Sequence, residues 1–170
     1  GGLANIETGY VHLKNTTFTG NTATAGGAIL NHSNSAASQT NMDIDSSTIS
    51  GNIATGNGIG STAGIYNITT ATTHIKNSIV AGNVNTYSGS VASDCYNDTG
   101  TSGLLVSSGY NILPLASCNY TNTTGDITTS VGLALDALAD NSGPTQTMAI
   151  GQTSIARDAG SCTLLDNVTV

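Results

Sequence analysis

One short motif recurs at a fixed distance along the chain. Gly-Asn pairs stand at Gly20-Asn21, Gly51-Asn52 and Gly82-Asn83, a period of 31 residues. The residues before each pair align as Val11-His12-Leu13-Lys14-Asn15-Thr16-Thr17-Phe18-Thr19, Met42-Asp43-Ile44-Asp45-Ser46-Ser47-Thr48-Ile49-Ser50 and Thr73-His74-Ile75-Lys76-Asn77-Ser78-Ile79-Val80-Ala81. A second motif precedes each segment and ends at Asn5, Asn31 or Asn67. Its distance to the Gly-Asn pair is 15, 20 and 15 residues, and the extra five fall in the Ser/Ala/Asn-rich stretch from Ser33 to Thr40. Fixed motifs joined by variable loops are the signature of a chain built by stacking one structural unit.

Within each unit apolar and polar residues alternate. Leu13, Ile44 and Ile75 each have polar neighbours on both sides. Period two over four to six residues, bounded by Gly and Asn, predicts short strands with one buried face. No 3.6-residue period occurs in the repeats. The expected fold class is therefore all-β, a β-solenoid whose rungs lie about 4.8 Å apart. Asn21, Asn52 and Asn83 are expected to stack as one corner ladder, and Asn5, Asn31 and Asn67 as another. Stacked amides bond turn backbone and each other.

Composition fits a repeated rung. Of the 170 residues 8% are charged and 4% aromatic, with 21 Gly and no Trp. A coiled coil or helical bundle needs far more charge and leucine. The net charge is −7, from three Lys plus Arg against ten Asp plus Glu, which excludes a nucleic-acid partner. No apolar run approaches the ~20 residues of a membrane span.

The repeat also aligns the few charges. Positions 12, 43 and 74 read His, Asp, His; positions 14, 45 and 76 read Lys, Asp, Lys. Alternation places both sets outward, as cross-strand charge ladders each worth roughly 0.2–1 kcal/mol per pair. The rival reading is a metal site at His12, Asp43 and His74, for which a further ligand and supporting shell are missing. No cofactor motif is present. Asp43 and Asp45 lie i and i+2 on one strand, about 7 Å apart, a spacing that permits paired-carboxylate glycoside hydrolysis. No Gly-x-Ser-x-Gly elbow occurs, and the titratable groups otherwise do not converge, so no catalytic residue is assigned.

After Asn83 the strict period fades. Gly109-Tyr110-Asn111-Ile112-Leu113 reads as one more strand and Asn corner. Cys95 and Cys118 bracket it and are expected to form a disulfide, with Cys162 left over. The unpaired Cys162 suggests a partner past Val170 and hence a piece of a longer chain. Residues 1–113 form the expected rungs, the repeat being clearest over 1–86, and 114–170 a terminal rung with an irregular cap. Val131–Asp140 is expected as a capping turn or short helix. Thr17 with Thr48, and Thr24, Thr55 and Thr86, form threonine rows whose irregular neighbours argue against ice binding. Sequons begin at Asn15, Asn31, Asn67, Asn97, Asn119, Asn122 and Asn167.

The units Gly26-Gly27-Ala28-Ile29-Leu30-Asn31 and Phe18-Thr19-Gly20-Asn21 resemble the repeats of right-handed parallel β-helix surface proteins, including the polymorphic outer-membrane adhesins. From Asn77 the chain resembles the bacterial choice-of-anchor Q class. The matching residues run through Asn77–Asn83, Asp94-Cys95, Gly109–Ile112, Cys118, Gly125-Asp126, Leu138–Thr147 and Asp158-Ala159-Gly160. The resemblance implies a right-handed parallel β-helix in a secreted or cell-surface protein: a non-catalytic stalk, adhesin or filament subunit. Open solenoid ends with unpaired strand edges make self-association or contact with other surface proteins an expectation, and the flat threonine-rich faces a glycan partner. Because many such helices act on polysaccharides, binding or degradation of polysaccharide is the alternative. A lyase would need a base, and Lys14, Lys76 and Arg157 are the only Lys and Arg side chains.

Overall fold

The computed structural model describes residues 1–34, 40–58, 60–87, 89–98 and 104–165. The described residues contain strands and turns and no helix, so none is long and apolar enough to cross a membrane. In chain order the strands are β1 (Leu3–Ile6), β2 (Tyr10–Lys14), β3 (Thr17–Phe18), β4 (Thr22–Ala23), β5 (Ile29–His32), β6 (Asn41–Asp45), β7 (Thr48–Ile49), β8 (Ile53–Ala54), β9 (Ile65–Ile68), β10 (Thr72–Lys76), β11 (Ile79–Val80), β12 (Val84–Asn85), β13 (Val91–Ala92), β14 (Cys95–Asn97), β15 (Leu104–Ser107), β16 (Leu135–Ala139) and β17 (Thr147–Ile150).

The first fifteen strands form four sheets. Sheet I is β1-β5-β9-β14, sheet II is β2-β6-β10-β15, sheet III is β3-β7-β11, and sheet IV is β4-β8-β12-β13. In sheets I to III each strand comes from a successive repeat, so every neighbour is a full repeat away in sequence; in sheet IV the same holds for β4, β8 and β12, while β13 turns back on β12 within one repeat. All pairings in sheets I to III are parallel, as are those in sheet IV except the last, β12 with β13. Register follows the repeat: Leu13 pairs Ile44 and Ile44 pairs Ile75; Phe18 pairs Ile49 and Ile49 pairs Val80.

Those paired aliphatic side chains are the core. Ile29, Met42, Ile44, Ile49, Ile65, Ile75 and Val80 are fully buried in one cluster with Cys95, Leu105, Leu113 and Cys118. Small aliphatics fill it because the space between sheets is narrow and close-packed. Turns between sheets need left-handed backbone. Asn15, Ser46 and Asn77 have φ of 52°, 47° and 50°, and Gly20, Gly51 and Gly82 have φ of 68°, 71° and 75°. The recurring glycines, and Asn15 and Asn77, thus occupy conformations other residues adopt at a cost. Close backbone approach fixes Gly64, where a Cβ would lie 2.0 Å from the Asp94 carbonyl oxygen.

The asparagines tie one repeat to the next. Asn5 Nδ2 donates to Asn31 Oδ1 at 3.0 Å, Asn31 Nδ2 to Asn67 Oδ1 at 3.0 Å, and Asn67 Nδ2 to Asn97 Oδ1 at 3.5 Å. In the second column Asn21 Nδ2 donates to Asn52 Oδ1 at 2.9 Å and Asn52 Nδ2 to Asn83 Oδ1 at 2.8 Å. The backbone N–H of each donor residue reaches the same oxygen, at 3.1 Å in both steps. A third column runs from the Ser47 amide to Ser78 Oγ, then from the Ser78 amide to Asn111 Oδ1. Along these columns the donor lies in the earlier repeat and the acceptor in the later one. Two columns end on carboxylates, which only accept: Asn83 on Asp94 Oδ1 at 3.0 Å and Asn111 on Asp126 Oδ1 at 3.1 Å.

The far end is irregular. The fourth repeat has its strand at Leu104–Ser107, and Gly109-Tyr110-Asn111 forms the turn after it. Residues 114–128 lie over it through isolated bridges of Val106 to Thr121 and Ile112 to Ile127. The Cys95–Cys118 disulfide, with Cα atoms 4.5 Å apart, fastens this layer to β14. Val131–Asp140 corrects the expectation of a capping turn or helix: its Leu135–Ala139 stretch is β16, paired antiparallel with β17. This hairpin region lies on the outer side of sheet III, where Leu133, Leu135, Ile155 and Ala156 pack against Ile79, Ala81 and Ile112. Leucines at 133 and 135 alternate at the strand period, which favours the hairpin over a helix.

Replacing Asn52 with Ala would strip bonds from both neighbouring repeats, because its side chain also donates to the Phe18 carbonyl at 3.0 Å. We expect a loss of about 2–4 kcal/mol in urea unfolding, as buried partners lose their bonds. A loss below about 0.5 kcal/mol would contradict the column's role.

Candidate functional site

Four of the seven Asp, Glu, Lys and Arg residues in 1–113, Lys14, Asp43, Asp45 and Lys76, lie with His12 and His74 on the outward side of sheet II, and that face is the candidate site. His12 pairs Asp43 and Asp43 pairs His74; Lys14 pairs Asp45 and Asp45 pairs Lys76. The alignment read from the repeat is present in the backbone, but the side chains do not close the expected ion pairs. Among the described residues the ion pairs are His12 Nε2 with Asp45 Oδ2, at 3.3 Å, and Arg157 with Asp158. His12 therefore reaches diagonally past Asp43 to Asp45.

Asp45 departs most from an outward, solvated carboxylate: it is fully buried. The cover is the end of the described chain, which runs as a strap across this face. The Leu165 amide donates to both Asp45 oxygens, at 3.1 and 3.2 Å. Lys76 Nζ donates to Thr163 Oγ1 at 2.9 Å and to the Leu164 carbonyl at 3.3 Å. Asn77 Nδ2 donates to the carbonyls of Ser161 and Thr163, and its Oδ1 accepts from the Ser161 amide. Leu164 is buried beneath the strap and Cys162 on it is exposed. The charges that looked like a ladder thus act as clamps, because a strap of backbone amides and carbonyls supplies partners that a neighbouring lysine would otherwise supply.

Asp43 stays accessible. Tyr10 Oη donates to Asp43 Oδ2 at 2.5 Å. That bond, some burial and the negative charge of Asp43 and Asp45 hold the Tyr10 hydroxyl above its ordinary pKa. Beside them a cleft of about 430 Å³ is lined by Tyr10, Asn41, Asp43, His74, Ser108 and Leu165. The metal reading at His12, Asp43 and His74 gains no geometry: the three share a register, yet His12 turns to Asp45, Asp43 is bonded by Tyr10, and the His74 side chain has no partner among the described residues. Among the described residues no three His, Cys, Asp or Glu side chains gather as a metal-binding group. The paired-carboxylate reading of Asp43 and Asp45 fails on access, since Asp45 lies under Leu165.

The remaining candidates are scattered. Asn31, Asn67 and Asn97 are buried within the first asparagine column, where no glycan fits, while Asn15, Asn119 and Asn122 are exposed. The sequon at Asn167 lies outside the described residues, as does Ser35–Gln39 of the inserted loop. Thr17 pairs Thr48, but the next position is Ile79 beneath the hairpin region, so that threonine row ends after two repeats. Sequence reasoning missed Tyr10, Asn41 and Ser108 as cleft residues, and Asp94, Asn97 and Asp126 as column members. Only the alignment of Tyr10 and Asn41 one position before Val11 and Met42 carries a signal for them.

Comparison with models of known protein families, with curated proteins and with solved structures returns no match. The chain's own geometry is therefore what supports a function.

Two measurements check this description. Asp45→Asn keeps the side chain's size and removes its charge. The Leu165 amide should then exchange with deuterium faster, and trypsin should cut at the exposed Arg157 more readily; unchanged rates of both would separate Asp45 from the strap. Tyr120, whose hydroxyl donates to the Leu113 carbonyl at 3.2 Å, is pushed up to about 12 by burial and the nearby Asp126 charge. Its raised value means full stability below the unfolded tyrosine range near 10 and a declining contribution as pH rises toward 12. A spectrophotometric tyrosine titration should show a late component that Tyr120→Phe removes.

Proposed function

We propose that the chain is a non-catalytic structural protein of the secreted or cell-surface class, a right-handed parallel β-helix serving as a rigid stalk or adhesin scaffold. The observation that carries this reading is the unbroken register of sheets I to III across successive repeats, with hydrogen-bonded asparagine columns filling the corners. Such a body is stiff, because every layer is bonded to the next through backbone and side chain alike. The resemblance of its repeats to the choice-of-anchor Q and polymorphic outer-membrane types points the same way. The Cys95–Cys118 disulfide fits an oxidising compartment, where such bonds persist.

The stalk is favoured over the filament subunit. End-to-end growth needs two open ends that match. Here the later end closes with the irregular layer at 114–128, and the columns ending on Asp94 and Asp126 have no amide donor to pass on. Degradation of polysaccharide is the weaker alternative, since only one carboxylate of the Asp43–Asp45 pair is accessible.

Surface labelling of intact source cells with a membrane-impermeant amine reagent, with assay of the culture medium, tests the location. We expect the protein labelled or released, with Cys95 and Cys118 oxidised. Labelling only after lysis, with reduced thiols, would overturn it. Sedimentation velocity should show no concentration-dependent polymers. Release of reducing or unsaturated sugars from polysaccharide would replace the non-catalytic reading, and a left-handed coil in an experimental density map would replace the fold.

A further inference from the structure

The cleft on sheet II gathers several polar side chains that the fold leaves unbonded. Asn52, for comparison, donates to Phe18, Ser50 and Asn83 and accepts from Asn21. The columns consume the hydrogen-bonding capacity of most buried asparagines in this way. In the cleft, by contrast, the side chains of Asn41, His74 and Ser108 have no hydrogen-bond partner among the described residues, and Asp43 has one oxygen free beside the one bonded by Tyr10. These groups come from four successive repeats brought side by side by the register of sheet II: Tyr10, then Asn41 and Asp43, then His74, then Ser108 beyond β15. At strand spacing they span roughly 14 Å along the sheet, which suits an extended ligand.

We infer that this cleft is a binding site for a neutral, hydroxyl-rich oligosaccharide. The chemistry narrows by elimination. An anionic ligand meets a chain of net charge −7 and a lining without Lys or Arg. A metal ion meets one accessible carboxylate and no three-ligand group among the described residues. A purely apolar ligand would strand a carboxylate, an amide, an imidazole and a hydroxyl without water. A sugar both donates and accepts along its edges and offers an apolar ring face. The free Asp43 oxygen accepts from a hydroxyl, Asn41 and Ser108 each donate and accept, and His74 takes either role according to its tautomer. Tyr10, 64% exposed, provides the flat surface for the ring face, and its hydroxyl is fixed by Asp43. Leu165, held by Asp45, forms the wall on the strap side. The site requires the register of sheet II and the Leu165 wall, and it does not depend on the stalk reading.

The test is an amide-resolved NMR titration of the whole chain with cellohexaose, maltohexaose and mannohexaose at up to millimolar concentration, and with zinc chloride separately. The expected result is a shift confined to amides near Tyr10, Asn41, Asp43, His74 and Ser108 for at least one sugar. Tyr10→Ala and Asp43→Asn should each weaken that binding about tenfold or more, as expected for loss of a stacked ring or a charged hydrogen bond. Thr17→Ala, on sheet III, should leave it unchanged. The native titration is decisive even if a variant misfolds. No sugar-induced shift at these residues overturns the proposal. So does sugar binding that both cleft variants leave intact, and so does a response of Asp43 and His74 to zinc alone.

Discussion

The rest of the structure depends on a buried side-chain amide that bonds the equivalent amide one repeat later. A parallel stack buries many polar backbone groups at its corners, and each must find a partner. An asparagine satisfies its own turn and the next turn together: Asn52 accepts from the Asn21 amide and side chain, while donating within its own repeat and to Asn83. An aliphatic residue there would leave several groups unmet. This requirement holds the period at 31 over the three clearest repeats, although the loop from Ser33 to Thr40 is free to vary in length.

Much of this is legible without coordinates, for a physical reason. Side chains in a parallel in-register stack meet copies of themselves, so a contact in space is a repeat in sequence. Asn21, Asn52 and Asn83 are visible as a row, and the row is a hydrogen-bonded column. The same logic gives Leu13, Ile44 and Ile75 as one line of core. It fails where the repeat fails. Asp94 replaces an asparagine at the end of a column, reached across 11 residues rather than 31, and no spacing announces it. The hairpin of β16 and β17 packs on a flank by contacts that occur once.

The outward charges show the limit of the reading most clearly. Alternation placed Asp45 outside correctly as to direction, yet an outward side chain is solvated only if nothing covers it. The cover comes from a segment 120 residues later, which no local pattern connects to β6. The clamps on that segment explain why Lys76 and Asn77 differ in use from Lys14 and Asn15, their counterparts two repeats earlier. Of these matching residues only Lys76 and Asn77 have side-chain partners among the described residues, and the strap supplies them.

The strap also changes how the body comes apart. A pure stack is held by nearest neighbours, so it melts from its ends one layer at a time. Here Leu165 is bonded to a residue of the second repeat and Ser161 to one of the third. The last layers are held by that return contact, because the chain leaving them is anchored on the second and third repeats. A linear array thereby gains a long-range tie, which couples layers that would otherwise be linked only to their neighbours.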